Sequence, residues 1–216
     1  MKKKTTKQLI NHFRQFVTPE RFEKIQQLVT QRTRLVTVAL EEPHKTQNTG
    51  AIVRSCDAFG IQDIHAITGR NQLAVKNAIA SGATQWLSVF QYQTSTECMN
   101  ALKKQGYQLV ATSPHASLRL QDLAIDKPIA VFFGTEKEGL SEEILASVDT
   151  TVTIPMYGFT ESFNVSVSVA LCLYQITTVL RNSDISWKLT ENEKDKVIVE
   201  WLKASIRRPD LIEQLF

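Results

Sequence analysis

The sequence predicts an α/β protein whose mainly parallel sheet carries helices on both faces. Short runs of β-branched and apolar residues alternate with helical patterns along the chain, and most of these runs are apolar almost throughout. Strands that are buried on both faces of a parallel sheet have this composition. The strand-like runs are 35–40, 64–67, 86–90, 108–112, 129–133 and 151–154, and the helical patterns between them are about 48–59, 95–105, 141–148 and 164–181.

Both ends of the chain are predicted to be helical. Apolar residues recur at helical spacing between Leu9 and Val17, and Thr18-Pro19-Glu20 is typical of the start of a second helix. A polar segment then separates the central pattern from a final amphipathic helix over about Glu191 to Ile206. We therefore divide the chain into a basic N-terminal helical arm (1–34), a central α/β domain (35–181) and a C-terminal helical extension (182–216).

The charge of the chain is concentrated at its N-terminus. The whole chain of 216 residues has a net charge of only +3, but the first 34 residues contain nine Lys or Arg against Glu20 and Glu23, so nine minus two gives +7. A basic arm on a mildly acidic body favours an anionic partner such as a nucleic acid. The alternative is a solvated helix face without a partner.

Composition argues against a membrane protein and against a metal site. No apolar run of about 18 residues is present, so we expect a cytoplasmic protein without a membrane partner. Cys56, Cys98 and Cys172 lack the spacing of zinc ligands and are expected to be small buried hydrophobic residues. The four histidines are dispersed, and we therefore predict no metal.

Three segments that follow predicted strands carry the polar residues of interest, and the first is 44–57. Asn48 can cap the helix that begins near Thr49, which would be a purely structural role. Arg54 lies two turns further on, among small or apolar residues. An arginine on an apolar helix face is costly unless it meets a carboxylate or a phosphate, so this pattern favours a functional role for Arg54.

The second segment, 133–143, places two glycines around a charged turn. Gly134 and Gly139 lack a Cβ atom, so the backbone there can approach a ligand closely. The segment has neither the GxGxxG pattern of dinucleotide-binding proteins nor the ending of a phosphate-binding P-loop. A tight turn would explain either glycine, but the pair around the carboxylate of Glu136 indicates a site.

The third segment, 154–171, joins a strand to a long apolar helix. Ser162, Asn164 and Ser166 lie at the start of this helix, where unpaired backbone amides favour a polar or anionic group. Capping requires only one such residue. Three of them, after the bend through Pro155 and Gly158, favour the lining of a pocket.

Taken in order, the three segments resemble the SPOUT class of RNA 2'-O-ribose methyltransferases. The resemblance covers about residues 30–181 and rests on Asn48-Thr49-Gly50-Ala51-Ile52-Val53-Arg54, on Phe133-Gly134-Thr135-Glu136-Lys137-Glu138-Gly139-Leu140-Ser141, and on Ile154-Pro155-Met156 with Glu161-Ser162-Phe163-Asn164-Val165-Ser166. The approach from Glu41 to Lys45, and the short basic helices without a separate RNA-binding domain, make it most similar to the tRNA (guanosine-18-2'-O)-methyltransferases.

The resemblance implies the fold, the cofactor and the roles of the site residues. It implies a deep trefoil knot near the C-terminal part of the sheet, a homodimer, and S-adenosylmethionine as cofactor. Arg54 matches the catalytic arginine and Asn48 the asparagine that supports it, while Ser162 and Asn164 match residues near the cofactor and the target ribose. The positions that match the cofactor pocket are Thr112, Gly134, Glu136, Gly139, Ile154, Met156 and Phe163.

Two positions depart from the family pattern. Phe163 stands where leucine is usual, which is expected to reshape the adenine pocket, and Thr49-Gly50 replaces the common pair of an apolar residue and serine.

The implied reaction is the transfer of a methyl group to a ribose 2'-oxygen of tRNA, most simply at guanosine 18. A guanidinium stays protonated at neutral pH and is a poor proton acceptor, so we expect Arg54 to clamp a phosphate and stabilise the developing alkoxide. Two alternatives stay open: another RNA ribose as target, in the tRNA wobble position or in ribosomal RNA, and a non-catalytic RNA-binding module. The predicted phosphate contacts are Lys2, Lys3, Lys4, Lys7, Arg14, Lys203, Arg207 and Arg208.

Overall fold

The structure is a computed structural model that describes residues 5–43, 46–69, 82–135 and 137–214. The chain divides into two compact units. One unit is Arg34–Trp187, and the other combines Met1–Thr33 with Lys188–Phe216.

The central unit contains a seven-stranded sheet in which every neighbouring pair of strands is parallel. This confirms the predicted α/β fold with a parallel sheet. The run predicted at 86–90 forms a strand two residues later, and the short β5 was not predicted. The strands are β1 (Val36–Glu41), β2 (Asp63–Ile67), β3 (Ser88–Tyr92), β4 (Gln108–Thr112), β5 (Leu118–Arg119), β6 (Ile129–Phe133) and β7 (Thr150–Thr153), in the order β3-β2-β1-β6-β4-β7-β5.

Helices cover both faces of this sheet, as the near-continuous apolar strands predict. The helices of the described residues are α1 (Thr6–Phe13), α2 (Pro19–Val29), α3 (Thr46–Ala58), α4 (Ser95–Lys104), α5 (Glu142–Ser147), α6 (Val165–Arg181), α7 (Glu191–Ala204) and α8 (Pro209–Gln214). Alternate residues of β1 point into two separate apolar clusters. Val38 packs in the cluster that includes residues of α3 and α6, whereas Ala39 packs in the cluster that includes residues of α4 and α5.

The order of the strands brings several loops to one edge of the sheet. β1, β6, β4 and β7 are consecutive neighbours and run in the same direction, so their carboxyl ends lie side by side. The loops after Glu41, Thr112, Phe133 and Thr153 therefore leave the sheet at the same edge. Ligands of parallel sheets bind at this edge, and three of these loops belong to or lead into the segments that the sequence singles out.

The second unit consists of α1, α2, α7 and α8. Thr5, Thr18 and Thr190 cap three of these helices by accepting a hydrogen bond from a backbone amide three residues later. The buried side chains include Phe13, Ile25, Trp201 and Leu202. Both ends of the chain are thus helical, as their apolar periodicity predicts. Within the described ranges, no helix is both long enough and apolar enough to cross a membrane.

Candidate functional site

Two cavities open at the carboxyl edge of the sheet, on either side of the loop that follows β6. The β1-side cavity has a volume of about 310 Å³ and includes Glu41, Asn48 and Thr49 in its lining. The β4-side cavity has a volume of about 390 Å³ and includes Thr112 and Ser162. The residues that line both cavities are Phe133, Gly134, Thr135, Lys137, Glu138 and Val165.

The loop between the cavities, residues 134–140, folds back on itself. Thr135 and Gly139 exchange two backbone hydrogen bonds of 3.0 Å each. Gly139 has a φ of 70°, which is unfavourable for other residues, and a Cβ atom on Gly134 would lie only 2.0 Å from the carbonyl carbon of Gly139. Both glycines are therefore required by the closure of this loop. Glu136 lies outside the described residues, so its predicted contact with the cofactor stays a prediction.

Asn48 and Asn164 meet at this edge although 116 positions separate them along the chain. The Nδ2 atom of Asn164 donates a hydrogen bond of 3.2 Å to Oδ1 of Asn48. Oδ1 of Asn164 in turn accepts hydrogen bonds from the backbone amide and the hydroxyl of Ser166, at 2.9 and 2.6 Å. Asn164 is the N-cap of α6, so the fold couples the start of this helix to α3 through two side chains.

Arg54 is placed differently from the expectation based on its neighbours. The side chain is exposed and lines neither cavity, so the argument that an apolar surface makes Arg54 costly to bury is wrong. Ile52, Val53 and Cys56 form the buried side of α3, and Arg54 points away from them. Within the part of the chain that the structure describes, Arg54 forms no hydrogen bond or ion pair.

The other residues predicted for the cofactor lie around the β4-side cavity. Its lining includes Thr112, Gly134, Gly139, Ser162 and Phe163. A smaller adjoining hollow of about 90 Å³ is lined by Ile154 and Met156 together with Thr112, Ser162 and Phe163. The hydroxyl of Thr112 is already engaged, because it donates a hydrogen bond of 3.1 Å to the carbonyl oxygen of Phe132. The structure thus brings the described members of this set to one place.

The predicted RNA contacts lie in the terminal unit, and they differ in accessibility. Lys7, Arg14, Arg207 and Arg208 are exposed. Lys203 is partly buried: its Nζ atom lies 2.6 Å from a carboxylate oxygen of Glu213 and 5.4 Å from the centre of the Phe13 ring. The charge of Lys203 is therefore already paired inside the chain. Lys2, Lys3 and Lys4 lie outside the described residues.

The cysteines offer no nucleophile. Cys56, Cys98 and Cys172 are buried thiols outside any disulfide, as their sequence context predicts. Burial raises the pKa of Cys98 and of Cys172 to about 12, so both stay protonated thiols at neutral pH. Among the described residues, no cluster of three or more His, Cys, Asp or Glu side chains could hold a metal ion.

One carboxylate at this edge was not predicted from the sequence to take part in the site. Glu41, the last residue of β1, accepts hydrogen bonds from the amide and the hydroxyl of Ser141 at 2.8 and 2.6 Å, and from the hydroxyl of Ser95 at 3.0 Å. Ser166, which was predicted to help line the pocket, is not in the lining of either cavity and instead fixes Asn164. The sequence did contain a feature that could have identified Glu41 as a site residue. It is a glutamate at the carboxyl end of a buried strand, where ligands of parallel sheets bind.

Comparison with known proteins agrees with the resemblance. Residues 35–174 match the SpoU rRNA Methylase family. A tRNA (guanosine(18)-2'-O)-methyltransferase of Borreliella burgdorferi is 36% identical to this chain over 93% of the chain and 92% of that protein.

Solved structures of similar proteins share the fold. A TrmH/SpoU tRNA-modifying enzyme of A. aeolicus has a TM-score of 0.78 and 26% identity, covering 87% of this chain and 97% of that one. The SpoU methyltransferase AviRb of Streptomyces viridochromogenes, solved in complex with AdoMet, has a TM-score of 0.63 and 24% identity, covering 70% of this chain and 60% of that one. The family match spans well over half of the chain, and the chain therefore belongs to the SpoU rRNA methylase family.

Proposed function

We propose that this protein transfers a methyl group from S-adenosylmethionine to the ribose 2'-oxygen of guanosine 18 in tRNA. The observation that carries the proposal is the meeting of Asn48 and Asn164 beside a loop that lines two cavities. Two adjoining cavities suit a reaction that brings a donor and an acceptor together. The relative from Borreliella burgdorferi, which carries this activity in its name, supports the choice of substrate.

The β4-side cavity fits the methyl donor. Its volume of about 390 Å³ lies within the range of small-molecule sites, and its walls combine apolar side chains with backbone groups of the 134–140 loop. Thr112, Gly134, Gly139, Ser162 and Phe163 would hold the donor there, with Ile154 and Met156 in the adjoining hollow. When bound, S-adenosylmethionine supplies a sulfonium methyl group that already has a good leaving group.

The protein's contribution to the reaction is then mainly positioning. Asn164 is oriented by Ser166 and Asn48, so it can hold a ribose hydroxyl without a further rearrangement. Arg54 donates no hydrogen bond to another described residue, so its guanidinium can serve a phosphate oxygen and the negative charge that develops on the 2'-oxygen. A phosphate oxygen or water takes the proton, because a guanidinium does not accept one at neutral pH.

The proposal includes a homodimer. Val167, Leu171 and Tyr174 form an exposed apolar stripe along α6, and Tyr157 and Phe159 are 91% and 109% exposed in the preceding loop. An exposed apolar surface of this kind is typical of a protein interface. A second copy of the chain would cover it and would bring two Arg54 residues into one particle. Leu171→Asp should then yield a monomer by light scattering, whereas a wild-type protein that is itself monomeric would contradict the dimer.

The trefoil knot, tRNA binding by the terminal unit and a cytoplasmic location also belong to this proposal. In support of the knot, the segment that follows β7 leads to Asn164, which contacts Asn48 in the segment after β1. The strands β6 and β4 lie between β1 and β7 in the sheet, so the chain passes both of them to make this contact. In support of tRNA binding, Lys7, Arg14, Arg207 and Arg208 are exposed in the terminal unit. A tRNA substrate is consistent with a cytoplasmic location of the protein.

Incubation of unmodified tRNA with S-adenosylmethionine and the protein, followed by mapping of ribose methylation, tests the proposed function. We expect one methyl group at guanosine 18 and none on a tRNA that carries 2'-deoxyguanosine at that position. Methylation at the tRNA wobble ribose, or of ribosomal RNA only, would show that guanosine 18 is not the substrate. Absence of transfer to any RNA by a protein that binds tRNA would instead favour a non-catalytic RNA-binding module.

A further inference from the structure

The 134–140 loop, which separates the two cavities, is attached to β1 at both of its ends. At its entrance, β6 pairs with β1 and ends at Phe133, which lies opposite Leu40. At its exit stands Ser141, whose amide and hydroxyl both donate hydrogen bonds to the Glu41 carboxylate, at 2.8 and 2.6 Å. Glu41 is the residue after Leu40, so a single strand end determines where the loop begins and where it ends.

The interior of the loop offers little freedom between these two attachments. The Thr135–Gly139 pair closes it, the amide of Glu138 donates to the hydroxyl of Thr135 at 3.1 Å, and Gly134 touches the backbone of Gly139. A closed loop of this kind moves as one body. Its position over the β4-side cavity therefore depends on the contact at its exit, where the Ser141 amide and hydroxyl are both held by one carboxylate.

Glu41 joins a third element to the same point. The carboxylate oxygen that accepts from the Ser141 hydroxyl also accepts from the hydroxyl of Ser95 at 3.0 Å, and Ser95 is the first residue of α4. Ser95 is buried and Glu41 is half-buried, so this contact is partly shielded from water. Hydrogen bonds to a charged acceptor are stronger than those between neutral groups, and three of them converge here.

We propose that Glu41 is a positioning residue for the methyl-donor site. Its carboxylate holds the 134–140 loop in the position at which the backbone of Gly134 and Gly139 lines the β4-side cavity. This inference rests on the proposed function, because it assigns that cavity to the donor. Glu41 acts through Ser141 and the loop and takes no part in the transfer itself.

The two kinds of substitution at Glu41 should differ. Glu41→Ala removes all three hydrogen bonds. Glu41→Gln keeps an amide oxygen that can accept from the Ser141 amide, and its NH2 group can donate to the serine hydroxyls, so part of the effect is restored. We expect S-adenosylhomocysteine, measured by calorimetry, to bind Glu41→Ala at least about tenfold more weakly than the wild type, with Glu41→Gln between the two.

The matched control is Glu143→Ala. Glu143 lies on α5 and its carboxylate accepts a hydrogen bond from Thr96 of α4, so this variant also removes a carboxylate contact between α4 and the segment after the loop, yet leaves Ser141 untouched. We expect it to bind S-adenosylhomocysteine as the wild type does. Equal weakening in both variants would show that only the packing of α4 and α5 matters, and would overturn the proposal.

Amide hydrogen exchange of the ligand-free protein is a second test, which requires neither the methyl donor nor RNA. The amides of Thr135, Glu138 and Gly139 should exchange at least about tenfold faster in Glu41→Ala than in Glu143→Ala, because only the first variant releases the loop. If Glu41→Ala fails to fold, Glu41→Gln is measured in its place, with the same direction expected. Unchanged exchange in the folded variant would overturn the proposal.

Steady-state kinetics distinguish a positioning role of Glu41 from a general loss of structure. We expect the KM for S-adenosylmethionine to rise in Glu41→Ala, while the affinity for tRNA stays at the wild-type value; a parallel loss of both affinities would contradict a role confined to the loop. A wild-type protein that does not bind S-adenosylhomocysteine would overturn the proposed function, and the exchange measurement would still decide whether Glu41 holds the loop.

Discussion

Asn48 and Arg54 lie on the same helix, α3, and have opposite surroundings. Asn48 lines the β1-side cavity and is hydrogen bonded to Asn164, which Ser166 holds in turn. Arg54 is exposed and lines neither cavity. The contacts of Asn48 and Asn164 thus lie within one chain. Arg54 forms no hydrogen bond or ion pair with another described residue, so its guanidinium can engage an external group such as an RNA phosphate.

This contrast separates two tasks of the proposed reaction. We propose that the arranged region, made of the 134–140 loop, Asn48 and Asn164, receives the donor and orients a ribose. Arg54 and, in the other unit, the basic residues of the terminal helices are proposed to act only once RNA is bound. Variants of the two regions should therefore fail in different assays.

The largest effect is expected from Gly134→Ala in the arranged region. The new methyl group would lie 2.0 Å from the carbonyl carbon of Gly139 and 2.3 Å from the amide nitrogen of Leu140, so the loop cannot close as it does now. We expect S-adenosylhomocysteine binding, measured by calorimetry, to be lost. Gly82→Ala is the matched control, because nothing lies within 4 Å of a Cβ atom there. Normal binding by Gly134→Ala would mean that the loop does not line the donor site.

Arg54→Ala should have the next largest effect, on the rate of transfer. Loss of a charged donor that stabilises a developing oxyanion typically costs about 10²- to 10³-fold in rate. Because Arg54 has no partner among the described residues, its removal should leave the melting temperature unchanged. Single-turnover methylation of tRNA measures the rate.

Arg54→Lys distinguishes a bidentate clamp from a simple positive charge. Lysine keeps the charge but lacks the fork of guanidinium donors, so we expect its rate to stay close to that of Arg54→Ala. Near-normal turnover by Arg54→Lys would exclude the clamp.

Asn164→Asp should produce a smaller loss, which includes the contact with Asn48 and any effect of the new charge on the ribose that Asn164 is proposed to hold. The carboxylate can still accept from the amide of Ser166 and cap α6, but it no longer donates to Asn48. We expect about tenfold slower transfer with an unchanged melting temperature, and a lower melting temperature only in Asn164→Ala, which also loses the cap. If Asn164→Asp transfers as fast as the wild type, the contact between the two asparagines is not used in the reaction.

Replacement of Lys2, Lys3 and Lys4 by alanine should have the smallest effect. We expect a several-fold loss of tRNA affinity that shrinks as salt rises, because each phosphate contact adds to the salt dependence of binding. Donor affinity should stay constant. A salt dependence equal to that of the wild type would remove these three lysines from the RNA-binding surface.

Much of the fold followed from the sequence, because strands buried on both faces of a parallel sheet are apolar throughout and are easily told from the helices between them. The two-residue strand β5 was missed, since two residues carry no periodicity. Gly134 and Gly139 were interpreted as allowing close approach of a ligand, whereas the structure shows that the closure of the loop itself requires both of them.

The contacts of the site were harder to predict than its position. The pairing of Asn48 with Asn164 joins residues 116 positions apart, and no local pattern encodes it. The three hydrogen bonds of Glu41 likewise come from Ser95 and Ser141, which only the strand order brings together. The surroundings of Arg54 were misjudged because the helix was expected to present a small or apolar surface there, whereas Arg54 and its neighbour Ala51 are both exposed.

The most direct test of the contrast between Asn48 and Arg54 is the affinity of Arg54→Ala for S-adenosylhomocysteine, measured without RNA. If the arranged region is complete within the chain, this affinity equals that of the wild type while methyl transfer to tRNA falls at least about a hundredfold. A loss of affinity that parallels the loss of transfer would contradict the account, because Arg54 would then belong to the donor site itself.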